Sequence, residues 1–337
     1  MSILRYFSRE LVIFGKGNIL KNNKILIVGG TGQYGITLSQ ILIKKRFRVF
    51  ITSRFRNKIN RFKKKYPRIG LIKLNIYNKR QIEICLEKIK PSIIFYFAGQ
   101  SSPQKSFIKR YETLKSNYEG CKNILESLYK NNLKIKFLNA TSSEMYGHIQ
   151  NKIDLKTPKK PLNPYGEAKK KSFNLVKKYR NEFGMSTYNA IMFNTESFLR
   201  DKNFLIAKIC TGAIKAFKNK KKLTLNNIIV SREWNWCEEQ CELLMKFLKK
   251  KPQDFILSNG KSFTIKQMLN FAFLYFKLDF KNFVSVKFKK LKKNEVKNKK
   301  SDYKKYLKEN KIKFKSKIFG KKLIYKMIEY YLDEEKI

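Results

Sequence analysis

The 337-residue chain is short of the residue types that build several classes of protein. It has one histidine, His148, and five scattered cysteines without a CxxC pair, which argues against a metal centre and a disulfide framework. No apolar run is long enough to span a bilayer, and residues 1–22 lack the apolar core and cleavage site of a signal peptide. We therefore expect a protein of a reducing, cytoplasmic compartment, with no metal, no membrane span and an N-terminal extension over 1–22.

Acidic residues are also scarce, at 25 against 76 lysines and arginines, which leaves a formal charge of +51. One interpretation is a protein that binds nucleic acid or a membrane surface. The other is a codon bias that writes lysine wherever the fold permits it. The basic residues are spread from Arg5 to Lys336 instead of clustering in one arm. The spread favours the second interpretation, with weak attraction to polyanions and no specific nucleic-acid partner.

What the sequence does contain is an alternation of apolar runs and helical spacings. Apolar runs predict strands at 24–30, 48–53, 70–76, 91–99, 135–143 and 186–194, and helical spacing predicts helices at 33–45, 79–89, 111–131 and 165–183. This alternation indicates an α/β fold with a Rossmann-type, doubly wound parallel sheet over 23–188. Residues 189–337 predict a smaller α/β substrate lobe, partly interleaved with the first. Within that lobe, the lysine-dense stretch 287–314 reads as a solvated connector.

Two motifs predict a dinucleotide site in the first domain. Gly29, Gly32 and Gly35 follow the first strand and open a helix, where glycines let a pyrophosphate approach backbone N–H groups. The second strand ends in arginines, Arg54 and Arg56, where NAD-binding proteins usually place an acid for the ribose. Since arginines pair with a 2′-phosphate, this end of the strand favours NADP.

A third motif predicts acid–base chemistry at the same edge of the sheet. Tyr165 and Lys169 stand four residues apart on one helix face, and a nearby ammonium is expected to lower the pKa of the phenol. Ser142, Ser143 and Glu144 end the preceding strand, at the carboxyl edge where ligands bind in such sheets.

Taken together, these motifs resemble the extended short-chain dehydrogenase/reductases, and within them the GDP-mannose 4,6-dehydratase family. The resemblance runs from about Lys24 to Asp333. It rests on VGGTGQYG (28–35), AGQSSPQKSF (98–107), NATSSEMYG (139–147), PLNPYGEAKK (161–170), EFGMSTYNAIMFNTES (182–197) and REWNW (232–236).

The resemblance implies a division of labour among four catalytic residues. Ser142 polarises O4 of the sugar, Tyr165 takes the O4 proton, and Lys169 supports Tyr165 and the nicotinamide ribose. Glu144 removes the C5 proton and helps to expel the C6 hydroxyl as water. The implied cofactor is NADP, held by Gly29, Thr31, Gly32, Gln33, Tyr34, Gly35, Arg54, Arg56, Asn75, Ala98, Gln100, Tyr165 and Lys169.

It also implies a GDP-mannose-type substrate and a homo-oligomer, either a dimer or a tetramer. The implied substrate contacts are Gln100, Ser101, Ser143, Asn194, Glu196, Lys208, Arg232 and Lys292. Four positions depart from the family pattern: Thr195 replaces a histidine, Phe198 a proline, Asn75 an acid and Lys292 an arginine. These departures concern nucleotide affinity more than the core chemistry.

Two other functions stay open at this point. A nucleotide-sugar 4-epimerase or 4-keto reductase would share the fold and the YxxxK pair, but would not need Glu144. An inactive, basic binding protein would share the fold alone, although Gly29, Tyr165 and Lys169 are all present.

Overall fold

The computed structural model describes residues 23–54, 65–149, 152–288 and 296–334. Its strands, in chain order, are β1 (Lys24–Val28), β2 (Arg48–Ser53), β3 (Gly70–Lys73), β4 (Ile93–Tyr96), β5 (Lys136–Ser142), β6 (Thr187–Met192), β7 (Thr195–Glu196), β8 (Leu223–Leu225), β9 (Ser231–Glu233), β10 (Asn235–Trp236), β11 (Asp254–Leu257), β12 (Ser262–Thr264) and β13 (Val284–Val286).

A seven-stranded parallel sheet, in the order β11-β6-β5-β4-β1-β2-β3, forms the centre of the first domain. Its middle strands are continuous apolar runs, such as Ile93–Tyr96, because helices cover both faces of a parallel sheet. The strand order reverses between β1 and β4, where ligands bind in sheets of this kind. The predicted doubly wound α/β fold is confirmed.

The helices follow the predicted pattern with one interruption. They are α1 (Gln33–Lys44), α2 (Lys79–Ile89), α3 (Pro103–Ile108), α4 (Arg110–Leu114), α5 (Gly120–Lys130), α6 (Pro164–Phe183), α7 (Leu205–Asn219), α8 (Cys237–Phe247), α9 (Ile265–Leu274), α10 (Tyr303–Glu309) and α11 (Gly320–Glu334).

The single helix expected over 111–131 is interrupted by a π-helical turn at Lys115–Glu119. Two polar side chains in this turn bond to carbonyls of the preceding one: Ser116 Oγ donates to Glu112 O at 2.7 Å, and Asn117 Nδ2 to Thr113 O at 2.9 Å. Such side chains compete with the regular helix for its backbone acceptors, which accounts for the wider turn.

The second lobe has an apolar core of its own, built by α7, α9 and α11. The pairs β7–β10, β9–β12 and β8–β13 surround it. The strand β11 and the helix α8 return to the first domain, where β11 pairs with β6 and α8 packs on α1. The proposed boundary between 23–188 and 189–337 stays a prediction.

The expectation of a solvated connector over 287–314 is wrong for part of it, since exposed lysines alternate there with buried residues. Val296, Lys299 and Ser301 are buried, and the chain forms bridges from Asn298 to Ser231 and from Ser301 to Ile153. Helix α10 follows and buries Tyr303, Tyr306 and Leu307. The many lysines suggest exposure, but the backbone of this segment is hydrogen-bonded to residues that are distant in sequence. The extension 1–22 and the predicted site residues Arg56 and Lys292 lie outside the described residues.

Candidate active site

The loop between β1 and α1 requires glycine at two of the predicted positions. Gly29 has a φ of +78°, and a Cβ there would lie 2.5 Å from the Cα of Ala98. A Cβ on Gly35 would lie 2.4 Å from the Cα of Gly30. The loop therefore turns in the left-handed region and packs closely on itself, and leaves the N-terminus of α1 open to an anion.

A cavity of about 620 Å³ lies over this loop at the carboxyl edge of the sheet. The structure brings together in it every described residue that the sequence assigned to the cofactor. They are Gly29, Thr31, Gly32, Gln33, Tyr34, Gly35, Arg54, Asn75, Ala98, Gln100, Tyr165 and Lys169. The glycine loop and the N-terminus of α1 can accept a pyrophosphate, and Lys169 lines the same cavity. This set of groups fits a nicotinamide dinucleotide. We refer to this space as the dinucleotide cavity.

Two of these residues also tie the glycine loop to the start of the second lobe. Gln33 Nε2 donates to Thr195 O at 3.0 Å, and Ser197 Oγ donates to Gln33 Oε1 at 3.0 Å. The hydroxyls of Tyr34 and Thr195 lie 2.8 Å apart. Thr195, one of the departures from the family pattern, therefore helps to join the glycine loop to the second lobe.

Tyr165 and Lys169 lie in the first turns of α6, whose start is fixed by Asn163. The Asn163 Oδ1 accepts the N–H of Gly166 at 2.8 Å, and Pro164 occupies the first helical turn. Ser142 and Tyr165 both line the dinucleotide cavity, so the end of β5 and the start of α6 meet there. Lys169 Nζ donates to the carbonyl of Ala140 at 2.6 Å and lies 5.8 Å from the centre of the Tyr165 ring.

The expected lowering of the tyrosine pKa is not what the structure gives. Burial raises the pKa of Tyr165 to about 12 and outweighs the nearby Ser142 hydroxyl, which acts in the opposite direction. Burial also lowers the pKa of Lys169 to about 8. A phenol that works as a base from this state needs the hydroxyl of Ser142 and the charge of Lys169 to stabilise its anion during the reaction.

Glu144 projects from a short 3₁₀ turn that directly follows β5. Its carboxylate has two close partners: Lys299 Nζ lies 2.6 Å from Oε1, and Asn163 Nδ2 donates to Oε2 at 2.9 Å. Burial alone would raise the pKa of Glu144, but Lys299, Arg232 and Asn163 outweigh burial and hold it below the usual value. The site thus contains an ionised carboxylate.

A second cavity, of about 870 Å³, opens beside the first and is rich in basic and amide side chains. Arg232 from β9, Lys208 from α7 and Asn194 line it, as the sequence predicted for a nucleotide-sugar site. The two cavities share Glu144, Asn194, Pro103 and Phe204. We refer to the second space as the substrate cavity, and Glu144 stands where the two meet.

Four predicted substrate residues are placed differently from one another. Gln100 and Ser101 line the dinucleotide cavity, whereas Ser143 and Glu196 line neither cavity and are buried. Of the two serines at the end of β5, Ser142 lines the dinucleotide cavity and Ser143 does not. The Glu196 carboxylate lies under Arg200, 3.8 Å from its Nε, and burial raises the pKa of Glu196 to about 7.

Among the cavity residues that the sequence does not single out, Lys299, Asn163 and Arg200 bear most directly on the site. Lys299 was assigned to the solvated connector, and no spacing relates it to Glu144, which is 155 positions away. Asn163 carried a readable signal, because an asparagine before a proline is typical of a helix start. Arg200 lines the dinucleotide cavity, and its guanidinium lies 3.5 Å from the centre of the Phe204 ring.

Two absences hold for the part of the chain that the structure describes. No group of three or more histidine, cysteine or acidic side chains is placed to hold a metal ion. Among the described helices, none has both the length and the apolarity needed to cross a bilayer.

Comparison with known proteins agrees with this geometry. Residues 26–327 match the sequence profile described as GDP-mannose 4,6 dehydratase. The chain belongs to the GDP-mannose 4,6-dehydratase family. Similar members are GDP-mannose 4,6 dehydratase 1 of Arabidopsis thaliana, 29% identical over 94% of this chain and 91% of that protein, and the Homo sapiens enzyme, 29% identical over 77% and 74%. The family resemblance stated from the motifs is confirmed.

Solved structures show the same fold at lower identity. A dTDP-glucose 4,6-dehydratase from Bacillus anthracis, in complex with NAD, aligns with a TM-score of 0.79 at 16% identity and covers 93% of this chain and 97% of its own. A UDP-glucose 4-epimerase from Thermus thermophilus, also in complex with NAD, aligns with a TM-score of 0.78 at 14% identity over 92% and 99%. At this identity the likeness establishes the architecture alone.

Proposed function

We propose that the chain is a nucleotide-sugar 4,6-dehydratase that converts GDP-mannose to its 4-dehydro-6-deoxy derivative and water. The observation that carries this proposal is the place of Glu144. It lies where the dinucleotide and substrate cavities meet, and Lys299 and Asn163 contact its carboxylate. Family membership supports the same reaction, which makes the chain a hydro-lyase.

The residues at the end of β5 and the start of α6 divide the proton chemistry. Ser142 polarises the sugar O4, and Tyr165, which lines the same cavity, takes the O4 proton. Glu144 removes the proton at C5 once a ketone at C4 has made it acidic, and helps the C6 hydroxyl to leave as water. A nicotinamide dinucleotide would be held by the residues that line the dinucleotide cavity, among them Gly29, Gln33 and Lys169, and would supply the hydride acceptor and donor for the reaction.

The substrate cavity offers a matching site for the nucleotide diphosphate. Arg232 and Lys208 line it, and charge-assisted bonds from arginine and lysine are the usual way to hold phosphate oxygens. In this state Arg232 Nη1 donates to the carbonyl of Ser231 at 2.8 Å, and Lys208 Nζ to that of Thr224 at 3.1 Å. These backbone contacts fix the side chains on the wall of the cavity.

The alternative reactions of the same fold are less well supported by the site. A 4-epimerase or 4-keto reductase needs only the tyrosine, the lysine and the serine. It has no use for a carboxylate held ionised at the junction of the cavities. An inactive binding protein would have no reason to keep Lys169 buried and bonded to Ala140 at 2.6 Å.

NADP is the dinucleotide that we propose. Arg54 at the end of β2 lines the dinucleotide cavity and can meet a 2′-phosphate. Its present partner is Glu112, 3.4 Å from Arg54 Nη2, and both side chains are largely exposed, at 48% and 41%. An exposed ion pair of this kind contributes about 0–1 kcal/mol, so a phosphate dianion can displace the carboxylate.

Mass spectrometry of the dinucleotide released from native protein tests this choice. We expect NADP, and recovery of NAD alone would contradict the proposal. In binding assays, Arg54→Ala should lower the preference for NADP over NAD. Glu112→Ala, which removes the competing acid instead, should leave that preference unchanged or increase it.

The activity itself is tested by following the loss of one water from GDP-mannose by mass spectrometry. Glu144→Gln should still bind dinucleotide and nucleotide sugar but lose turnover by about a hundredfold or more, the usual effect of removing an acid–base group. The matched control is Glu167→Gln, an exposed glutamate on α6 that pairs with Arg110 at 3.1 Å. Turnover of Glu144→Gln near that of the control would refute the role of Glu144. The cytoplasmic location and the homo-oligomer stay predictions.

A further inference from the structure

Lys299 is a buried lysine in the wall of the substrate cavity, next to Glu144. Its side chain is 3% exposed, its Nζ lies 2.6 Å from Glu144 Oε1, and it lines the substrate cavity. A buried ammonium is costly unless it is paired, and its close acidic partner is the carboxylate to which we assign the C5 proton transfer. The contact therefore needs a functional as well as a structural account.

The backbone on both sides of Lys299 is held in place by the buried carboxylate of Glu233 and by neighbouring strands. The Ser301 N–H donates to Glu233 Oε1 at 2.5 Å, and its hydroxyl lies 3.1 Å from the same atom. The N–H of Ile153 donates to Lys300 O at 2.8 Å, and that of Ser231 to Lys297 O at 2.8 Å. Hydrogen bonds at Lys297, Lys300 and Ser301 therefore fix the backbone within two residues on either side of Lys299 and so set the direction of its side chain.

The opposite side of the Glu144 carboxylate is held by α6. Asn163 donates to Oε2 at 2.9 Å while its own Oδ1 caps the helix at Gly166. One amide therefore fixes both the start of the helix that carries Tyr165 and the orientation of Glu144. With Lys299 on Oε1 and Asn163 on Oε2, both carboxylate oxygens have a donor.

We propose that Lys299 is a positioning residue that holds the Glu144 carboxylate ionised and oriented at the junction of the two cavities. The proposal rests on the proposed dehydratase function, in which Glu144 must be ionised to remove the C5 proton. Lys299 acts through Glu144 and transfers no proton itself. Its effect is to keep the base competent at pH values where a buried carboxylate without a cation would be protonated.

The charged and titratable groups around Glu144 come from several elements. Lys299 is supplied by the segment after β13, Arg232 by β9 and Tyr165 by α6, and the first two lower the pKa of Glu144 against the effect of burial. The other charged or titratable groups that line either cavity are Tyr34, Arg54, Tyr77, Lys105, Glu112, Tyr146, Lys169, Arg200, Asp201 and Lys208. Lys299 is in hydrogen-bonding contact with the carboxylate, which is why its removal should have the largest effect.

The first test compares the pH dependence of kcat for dehydration in three variants. Lys299→Met removes the charge but keeps the length and burial of the side chain, and Lys299→Arg keeps the charge. Lys300→Met is the matched control, because that lysine is adjacent and exposed. In Lys299→Met the acid limb of the profile should move to higher pH, so that its activity relative to wild type falls about tenfold or more between pH 8 and pH 6.

Lys299→Arg should stay close to the wild-type profile, and Lys300→Met should match it. A uniform loss in Lys299→Met across the whole pH range would indicate a structural role only and would overturn the proposal. So would equal profiles for Lys299→Met and Lys299→Arg, since the effect would then not come from the charge. If Lys299→Met does not fold, Lys299→Gln, which is polar and neutral, takes its place.

A second test does not depend on turnover. The carboxyl carbon of Glu144 can be followed by ¹³C NMR through a pH titration, with the signal assigned by its loss in Glu144→Gln. The titration should move to higher pH in Lys299→Met and remain near wild type in Lys299→Arg; an unchanged titration in Lys299→Met would overturn the proposal. A wild-type protein that does not dehydrate GDP-mannose would refute the proposed function instead, and the NMR result would still decide whether Lys299 keeps Glu144 ionised.

Discussion

Glu196 should make the protein less stable as the pH rises towards 8, and Glu196→Gln should remove that loss. The carboxyl is 3% exposed, and burial raises its pKa from 4.5 to about 7. The unfolded chain releases this proton near pH 4.5 and the folded chain near pH 7. Because the folded state binds the proton more tightly, the free energy of unfolding falls as the pH rises through that interval. The difference between the two pKa values lowers the free energy of unfolding at pH 8 by about 3 kcal/mol.

Chemical denaturation at pH 5 and at pH 8 measures the effect. The free energy of unfolding of Glu196→Gln, relative to wild type, should increase by about 2.5 kcal/mol between the two pH values, because part of the effect is already present at pH 5. Other buried carboxyls titrate in both proteins and cancel in this comparison. Glu87→Gln, at an exposed position of α2, controls for a surface substitution of the same kind and should show no such change.

The same pH dependence in wild type and Glu196→Gln would refute the reasoning. It would mean that Glu196 is already ionised in the folded protein at neutral pH, through Arg200, whose Nε is 3.8 Å away. Arg200 would then outweigh burial, and the carboxylate would be a structural partner of a cavity residue.

Three further predictions concern the glycine loop, the diphosphate contact and the overall charge. Gly29→Ala should lose dinucleotide binding in calorimetry, because its Cβ would lie 2.5 Å from Ala98 Cα; Gly184→Ala, at a φ of +62° with nothing within 4 Å, should lose about 1 kcal/mol of stability and keep binding. Arg232→Ala should raise the KM for the nucleotide sugar about tenfold or more, whereas Lys300→Ala, exposed and outside the cavity, should not; equal effects would place the diphosphate elsewhere. Because positive charge is spread along the chain, binding to nucleic acid should be weak and fall steeply with salt, and a sequence-selective complex at physiological salt would contradict this.

The sequence alone was sufficient for the doubly wound parallel sheet and for gathering the predicted dinucleotide residues into one cavity, although their binding of a cofactor stays a prediction. Continuous apolar runs such as Ile93–Tyr96 are typical of strands buried on both faces, and their alternation with helices indicates a parallel sheet. The glycines of the first loop and the pair Tyr165 and Lys169 are local patterns, with spacings fixed by a turn and a helix. Because a parallel sheet gathers its carboxyl ends at one edge, these local patterns were enough to predict a shared cavity.

Tertiary structure alone decided the electrostatics of the site. The pKa of Tyr165 depends on burial, and the sequence shows a nearby lysine but not how deeply the phenol is enclosed. Glu196 has a family motif around it, yet its side chain points away from both cavities. Lys299 lies in a lysine-dense stretch that reads as solvated, and it reaches Glu144 only because Glu233 and Ile153 hold that stretch against the second lobe and the loop after β5. Charge pairing across 155 positions leaves no periodic signal in the chain, since it depends on how distant segments pack and not on local spacing.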